Sequence, residues 1–302
     1  MTGKSAPHAT LQEMEERIRQ LPVLPNMVMH LMQLDPADEH YFEDVQRLLR
    51  SDPGFAVRVL NFANSAAVAP ASPIDSLEQA LYLIGCQRAV RLILARSAIQ
   101  IFLPRLPWQR ALWCHAFDVA LLTEALAPWL VGPAINAAQA YLAGLLHDVG
   151  RFVLYLQAPD ELRRVDETGW GSPQALAETE LRLCGFTHAE LGYLALRRWG
   201  VATPLADVVR YHHHRPPLPA GLAPASSALI GLLHDADWIS IRLALRSALW
   251  TASEPGVLEA LLCAPNVTAP STLQPPELLG VVRSALSSSR ALQKQMGVAD
   301  KD

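Results

Sequence analysis

Residues 138–157, AQAYLAGLLHDVGRFVLYLQ, decide how the chain is read. They belong to its most apolar stretch, yet His147, Asp148 and Arg151 stand in the middle. Those groups are expensive in a bilayer, so the stretch predicts a buried helical segment and no transmembrane span. A carboxylate in so apolar a segment must find a cation or several donors, because burying it unpaired costs several kcal/mol. A divalent ion held by imidazole and carboxylate satisfies both residues, and that mixed ligand set suits Fe, Mn, Zn or Ni. An isolated His-Asp pair would ordinarily read as a surface helix end, but this one has company along the chain.

Outward from this stretch, helical periodicity dominates and strand alternation is nearly absent. Helices are expected over residues 10–20, Asn26–Leu34, Phe42–Arg50, Pro53–Ala63, Ser76–Phe102, Trp108–Leu130, 138–157 and Ser226–Trp250, separated by Pro, Asp-Pro and Asn-Ser punctuation. Thr187-His188-Ala189-Glu190 has the form of a capping box and predicts another helix start. Asp160–Ser172 reads as a polar segment, and Arg215–Pro224 as a Pro-rich loop. From Thr251 the chain becomes Pro/Ser-rich, with only short helical pieces expected. The fold class predicted is all-α, an irregular multi-helix bundle. Its parts are an N-terminal tail (1–12), a first helical lobe (13–105), a second lobe (106–250) packed on it and carrying the His/Asp residues, and a C-terminal tail (251–302).

Composition narrows the function. The 302 residues are half hydrophobic and 18% charged, which suits a globular protein with a full core. A formal charge of −4 leaves no electrostatic footprint for nucleic acid, and no basic helix stands out. Three lysines (Lys4, Lys294, Lys301) lie near the ends. Cys86, Cys114, Cys184 and Cys263 are scattered without a C-x-x-C pair, which fits a reducing compartment. Residues 1–20 lack a basic start and apolar run, so a cytoplasmic protein with no membrane partner is expected.

The company of His147-Asp148 is His115 on an upstream apolar helix, His188 at the capped helix start, His212-His213-His214 after Tyr211, and Asp237 in LLHDADW. His234 and Asp235, beside Asp237, read as weaker ligand candidates, and Cys114 as a buried thiol. His8, His30 and His40 read as ordinary histidines. The order H…HD…H…HH…D resembles the HD phosphohydrolase superfamily, in particular its dinuclear members. The N-terminal half is similar to one branch of it, the HDOD proteins. The matching pieces are Leu21-Pro22-Val23-Leu24-Pro25, Asp52-Pro53-Gly54, Leu60 to Ser65, Ile74 to Leu77, Leu83-Ile84-Gly85 and Trp199-Gly200-Val201. The resemblance covers roughly residues 13–247.

That resemblance implies one metal held by His115, His147, Asp148 and Asp237, and a second held by Asp148, His188, His212 and His213. One or two divalent ions (Fe, Mn, Zn, Ni or Mg) are therefore the expected cofactors, with no organic cofactor. It also implies a bacterial signal-output protein that binds a signalling protein partner or a small signalling nucleotide. A metal-dependent phosphohydrolase of nucleotides or cyclic dinucleotides is the alternative, with Asp148 and Arg151 as candidate catalytic residues. The chain departs from the enzymes where Arg151 replaces the lysine that often follows the motif, where His214 replaces a glutamate, and where no G-Y-P segment follows. Arginine can hold a phosphate but cannot shuttle a proton near neutral pH. His214 leaves two registers open, His212-His213 or His213-His214, with Tyr211 favouring the first.

Overall fold

The computed structural model describes residues 10–65, 68–130, 135–170, 172–214, 217–245 and 275–299, and among them every regular element is a helix. The all-α expectation holds because apolar residues recur at helical spacing almost everywhere, leaving no stretch patterned for a sheet. Contacts divide the chain into two units, Pro22–Leu103 and a second formed by the residues before Pro22 together with those from Pro104 onward.

The Pro22–Leu103 unit contains α2 (Asn26–Gln33), α3 (Tyr41–Arg50), α4 (Pro53–Ala63), α5 (Leu77–Ile84) and α6 (Cys86–Ile101). Asp52 caps α4 by accepting from the amides of Gly54 and Phe55, with Pro53 at the first helical position. The Asn64 side chain clamps the end of α4 to Ile74, donating to its carbonyl at 2.7 Å and accepting from its amide at 2.8 Å. The single helix expected over Ser76–Phe102 is two. Gly85 takes φ +82°, a left-handed value that glycine adopts without steric penalty, and the chain turns there. Val28, Leu49, Val59, Leu81 and Ile93 are buried in this unit.

The second unit begins with α1 (Leu11–Arg19), closed by a Thr10/Glu13 capping box and burying Met14 and Ile18. It continues with α7 (Pro107–Leu130), α8 (Ala137–Leu146), α9 (Val149–Gln157), α10 (Pro159–Thr168) and α11 (Pro173–Cys184). After these come α12 (His188–Arg198), α13 (Thr203–Tyr211), α14 (Pro224–Leu245) and α15 (Pro275–Met296). Helix α7 is the spine, packed against α8, α14 and α15, while α9 lies on α12 and α10. Trp113 of α7 meets Phe152 of α9 with ring centroids 4.4 Å apart.

The polar segment at Asp160–Ser172 is largely helical, as α10, because Leu162 and Val165 bury one edge of an otherwise charged helix. Within the C-terminal region, Pro275–Met296 form one continuous helix where short pieces were expected. Leu278, Val282, Ala285, Leu286, Ser289 and Gln293 recur at helical spacing and are buried along one 22-residue helix. Two of those positions are polar, which disguised the stripe: Ser289 and Gln293 both donate to Asp118 of α7, at 2.6 and 2.9 Å. The expectations for His8, Cys263, Trp250 and the tail over 251–274 lie outside the described residues.

Candidate metal centre

The apolar stretch that opened the reading is not one helix. It divides at His147-Asp148, where Asp148 leaves helical geometry (φ −95°, ψ +15°) before α9 begins. The break turns both side chains inward. Two glycines allow it. A Cβ on Gly144 would stand 2.5 Å from Ala120 Cα in α7, and one on Gly150 would stand 1.8 Å from the carbonyl oxygen of His188. Close approach of α8 to α7, and of α9 to α12, thus brackets the His-Asp pair and carries it to His115 on one side and His188 on the other.

Asp148 is the hub. Its Oδ1 lies 3.1 Å from His188 Nε2 and 3.9 Å from His212 Nε2. Its Oδ2 lies 3.6 Å from His147 Nε2 and 3.8 Å from His115 Nε2. His213 Nε2 is 2.9 Å and His212 Nε2 3.3 Å from His188 Nε2. Asp237 Oδ1 completes the other side at 3.0 Å from His115 Nε2 and 4.0 Å from His147 Nε2. Within these contacts, one group of mutually close ligand atoms comes from Asp148, His188, His212 and His213, and a second from His115, His147 and Asp148. The two groups share Asp148, which would serve both if two cations were held.

The imidazoles are held by their far nitrogens. Nδ1–H of His147 donates to the Gly144 carbonyl at 2.7 Å, and that of His212 to the Val209 carbonyl at 2.6 Å. His188 Nδ1–H donates to Glu180 Oε2 at 2.5 Å, and His115 Nδ1 pairs with the Ser240 hydroxyl at 3.0 Å. Anchoring Nδ1 aims Nε2 at the centre, as metal-ligating histidines are usually held. His147 Nε2 and Asp237 Oδ1 are buried and lack an aligned hydrogen-bond partner. Buried polar atoms left in that condition are costly, and a cation between them removes the penalty. The residues therefore fit a divalent metal.

Electrostatics agree with the donor set. Burial would raise the Asp148 carboxyl, but His147 and His188 outweigh it and hold it well below the usual carboxylate range. Burial also works against the Asp237 carboxylate, and His115 overcomes it and holds the group down. Burial, reinforced by neighbouring imidazoles, pushes His212 down to about 3 and His213 well down, so both stay neutral and able to ligate. His188 is the exception: burial lowers it, but Glu180 and Asp148 prevail and raise it to about 10.

Other sequence candidates lie elsewhere. His214 is exposed and stands against the Tyr211 ring at 5.1 Å, so the histidines that reach Asp148 are His212 and His213. His234 and Asp235 are buried but belong to neither ligand group. The Cys114 thiol approaches the Val298 carbonyl at 3.8 Å. Arg151 is buried with its guanidinium on Asp166 (2.5 Å) and over the Trp170 ring (5.5 Å). Sequence reasoning missed Glu180 and Ser240. Glu180 carried a legible signal, since it falls between Leu176 and Cys184 on the buried stripe of α11, where a carboxylate needs a reason.

Comparison with known proteins bears on the family and the fold. The HDOD domain family matches residues 21–215. A protein of Treponema pallidum (strain Nichols), itself uncharacterised, is 23% identical over 216 residues, covering 71% of this chain but 42% of the relative. The chain thus spans less than half the length of that relative. Among solved structures, an HDOD domain protein of unknown function from Geobacter sulfurreducens superposes with a TM-score of 0.68 at 23% identity, covering 95% of this chain and 99% of the other. A proposed phosphohydrolase from Shewanella amazonensis SB2B gives 0.68 at 21% identity, covering 94% and 97%. A proposed signal-transduction protein from Marinobacter aquaeolei VT8 gives 0.67 at 20%, covering 96% and 62%. At these identities the superpositions establish a shared helical fold. With nearly two thirds of its length matched by the family, the chain belongs to the HDOD domain proteins.

Proposed function

We propose that this chain is a signal-output protein in which a divalent metal centre organises the helices that present a binding surface to a signalling protein. The observation that carries the proposal is the Arg151–Asp166 pair beside a full ligand set. Family enzymes often place a lysine at the Arg151 position. Here the side chain is an arginine, unable to give up a proton near neutral pH, and its guanidinium is engaged by Asp166 beneath Trp170. The one lysine among the described residues is Lys294, near the end of α15. On this reading the metal centre contributes stability and shape to the helices that carry it. No described helix is long and apolar enough to cross a membrane.

A second reading, a metal-dependent phosphohydrolase, is favoured by one specific observation. The centre is not wholly buried: the His115 side chain retains 20% exposure and His213 is only partly buried. Elemental analysis of protein purified without added metal, followed by assays on cyclic dinucleotides, nucleotides and chromogenic phosphodiesters with Mn or Fe, separates the two. Background hydrolysis by metal-loaded protein, with a specific partner captured only in the loaded state, is the expected result. Robust turnover that disappears in His147→Ala at unchanged stability would establish the enzyme instead.

A further inference from the structure

We propose that Glu180 is a positioning residue for one half of the centre, holding His188 as the pivotal ligand of the Asp148/His188/His212/His213 group while leaving the His115/His147/Asp237 side independent of it. The inference rests on reading the cluster as a metal centre. Glu180 is 0% exposed, and its Oε2 accepts from both the His188 amide at 2.8 Å and the His188 Nδ1–H at 2.5 Å. No arginine or lysine pairs with this carboxylate among the described ion pairs, and its Oε1 has no hydrogen-bond partner. A buried carboxylate directed wholly at one imidazole fixes that ring's tautomer and orientation and raises its basicity, the support a metal-ligating histidine commonly has.

The four anchored rings differ in kind. His147 and His212 lean on neutral carbonyls and His115 on a hydroxyl, whereas His188 alone leans on a carboxylate. His213, on the same half, has a buried Nδ1 with no partner, so its ring is not anchored at the far nitrogen as the other four are. His188 meets Asp148, His212 and His213 through one nitrogen, at 3.1, 3.3 and 2.9 Å. Displacing that nitrogen therefore disorganises its whole half. The other half reaches Asp148 through different atoms, Oδ2 rather than Oδ1, and has Asp237 as its own carboxylate. Glu180 also comes from α11, an element that supplies no ligand, so the residue links the centre to a helix otherwise outside it.

The test is Zn2+ titration of the whole chain in competition with a chromophoric chelator, comparing wild type, Glu180→Gln and Asp237→Asn. Glutamine keeps the acceptor oxygen and the volume while removing the charge. Wild type should take two Zn2+. Glu180→Gln should keep one at an affinity close to wild type and bind the other about 10- to 100-fold more weakly. Asp237→Asn should show the reverse pattern, which a general loosening of the fold could not produce. Equal weakening of both sites by Glu180→Gln, or weakening of neither, overturns the role. A wild-type protein that takes no Zn2+ overturns the metal-centre reading itself and this inference with it. Should Glu180→Gln fail to fold, nitrogen-15 NMR of Zn2+-loaded wild type decides. A His188 Nδ1 proton shifted far downfield and protected from exchange supports the role, and an exchanging one refutes it.

Discussion

Gly150 lies so close to the start of α12 that a side-chain carbon on it would penetrate the His188 carbonyl oxygen, at 1.8 Å, and come within 2.8 Å of the Gly192 amide. The neighbouring atoms are backbone and cannot swing aside. The glycine after His147-Asp148 is therefore the condition under which α9 and α12 meet at ligand distance.

Gly150→Ala should for that reason be severe. Overpacking a core ordinarily costs about 1–3 kcal/mol, and a clash with rigid backbone belongs at or above the top of that range. Chemical denaturation should show a lowered midpoint, and the surviving folded protein should carry less metal. A stable, fully metal-loaded Gly150→Ala protein would mean that the α9–α12 contact is looser than described.

Asp148→Ala should abolish binding of both metal equivalents, since both ligand groups pass through this carboxylate. The same substitution removes the counter-charge facing His188, and breaking a buried pair typically costs about 3–5 kcal/mol. The variant should melt well below wild type even with chelator present. Retention of one tightly bound ion would show that the carboxylate is not shared.

Metal removal should lower the melting temperature of the wild type and leave Asp148→Ala unmoved. A ligand at one hundred times its dissociation constant stabilises the folded state by about 2.7 kcal/mol, which is readily seen in a thermal scan. Differential scanning fluorimetry with and without chelator is sufficient. Identical melting in both conditions would contradict a metal bound to the native state.

Asp118 offers a pH-dependent check on how α15 is attached. Burial pushes its carboxyl above the usual 3.8, against the hydrogen bonds from Ser289 and Gln293 and the nearby charges of His115 and Arg290. A carboxyl raised in the folded state favours folding most below its unfolded value, and that advantage is lost as pH rises through the folded value. Asp118→Asn keeps an oxygen to accept from Ser289 and Gln293 and removes the charge. It should equal or exceed wild type in stability at pH 7, with the difference shrinking as the pH is lowered toward 4. A urea series that shows a constant deficit for Asp118→Asn would mean that the charge itself is needed.

Truncation before α15 should destabilise the second unit strongly. Leu278, Val282 and Leu286 are buried along the helix, and each such side chain contributes about 1.5–3 kcal/mol on burial. Their loss uncovers α7 beside His115, so Zn2+ affinity should fall together with the melting temperature. An unchanged melting temperature would place α15 outside the cooperative core.

The sequence by itself pointed to the helical class, the capped start of α12 and His115, His147, Asp148, His188 and Asp237 as site candidates, with the choice among His212, His213 and His214 left open. Each of these is written in local chemistry: a 3.6-residue apolar period, a Thr and Glu three residues apart, and imidazoles and carboxylates set in apolar segments where they cannot stand alone. Two boundaries escaped it, at Gly85 and at His147-Asp148, because an apolar run has the same period on both sides of a break. Only the tertiary structure decided between His212-His213 and His213-His214, since adjacent residues differ by about 100° around a helix and spacing alone does not say which point inward. It alone decided that Arg151 is engaged by Asp166 and that Glu180 is engaged by His188. Those partners lie fifteen and eight residues apart, and what joins them is the packing of α10 against α9 and of α11 against α12, which no local pattern states.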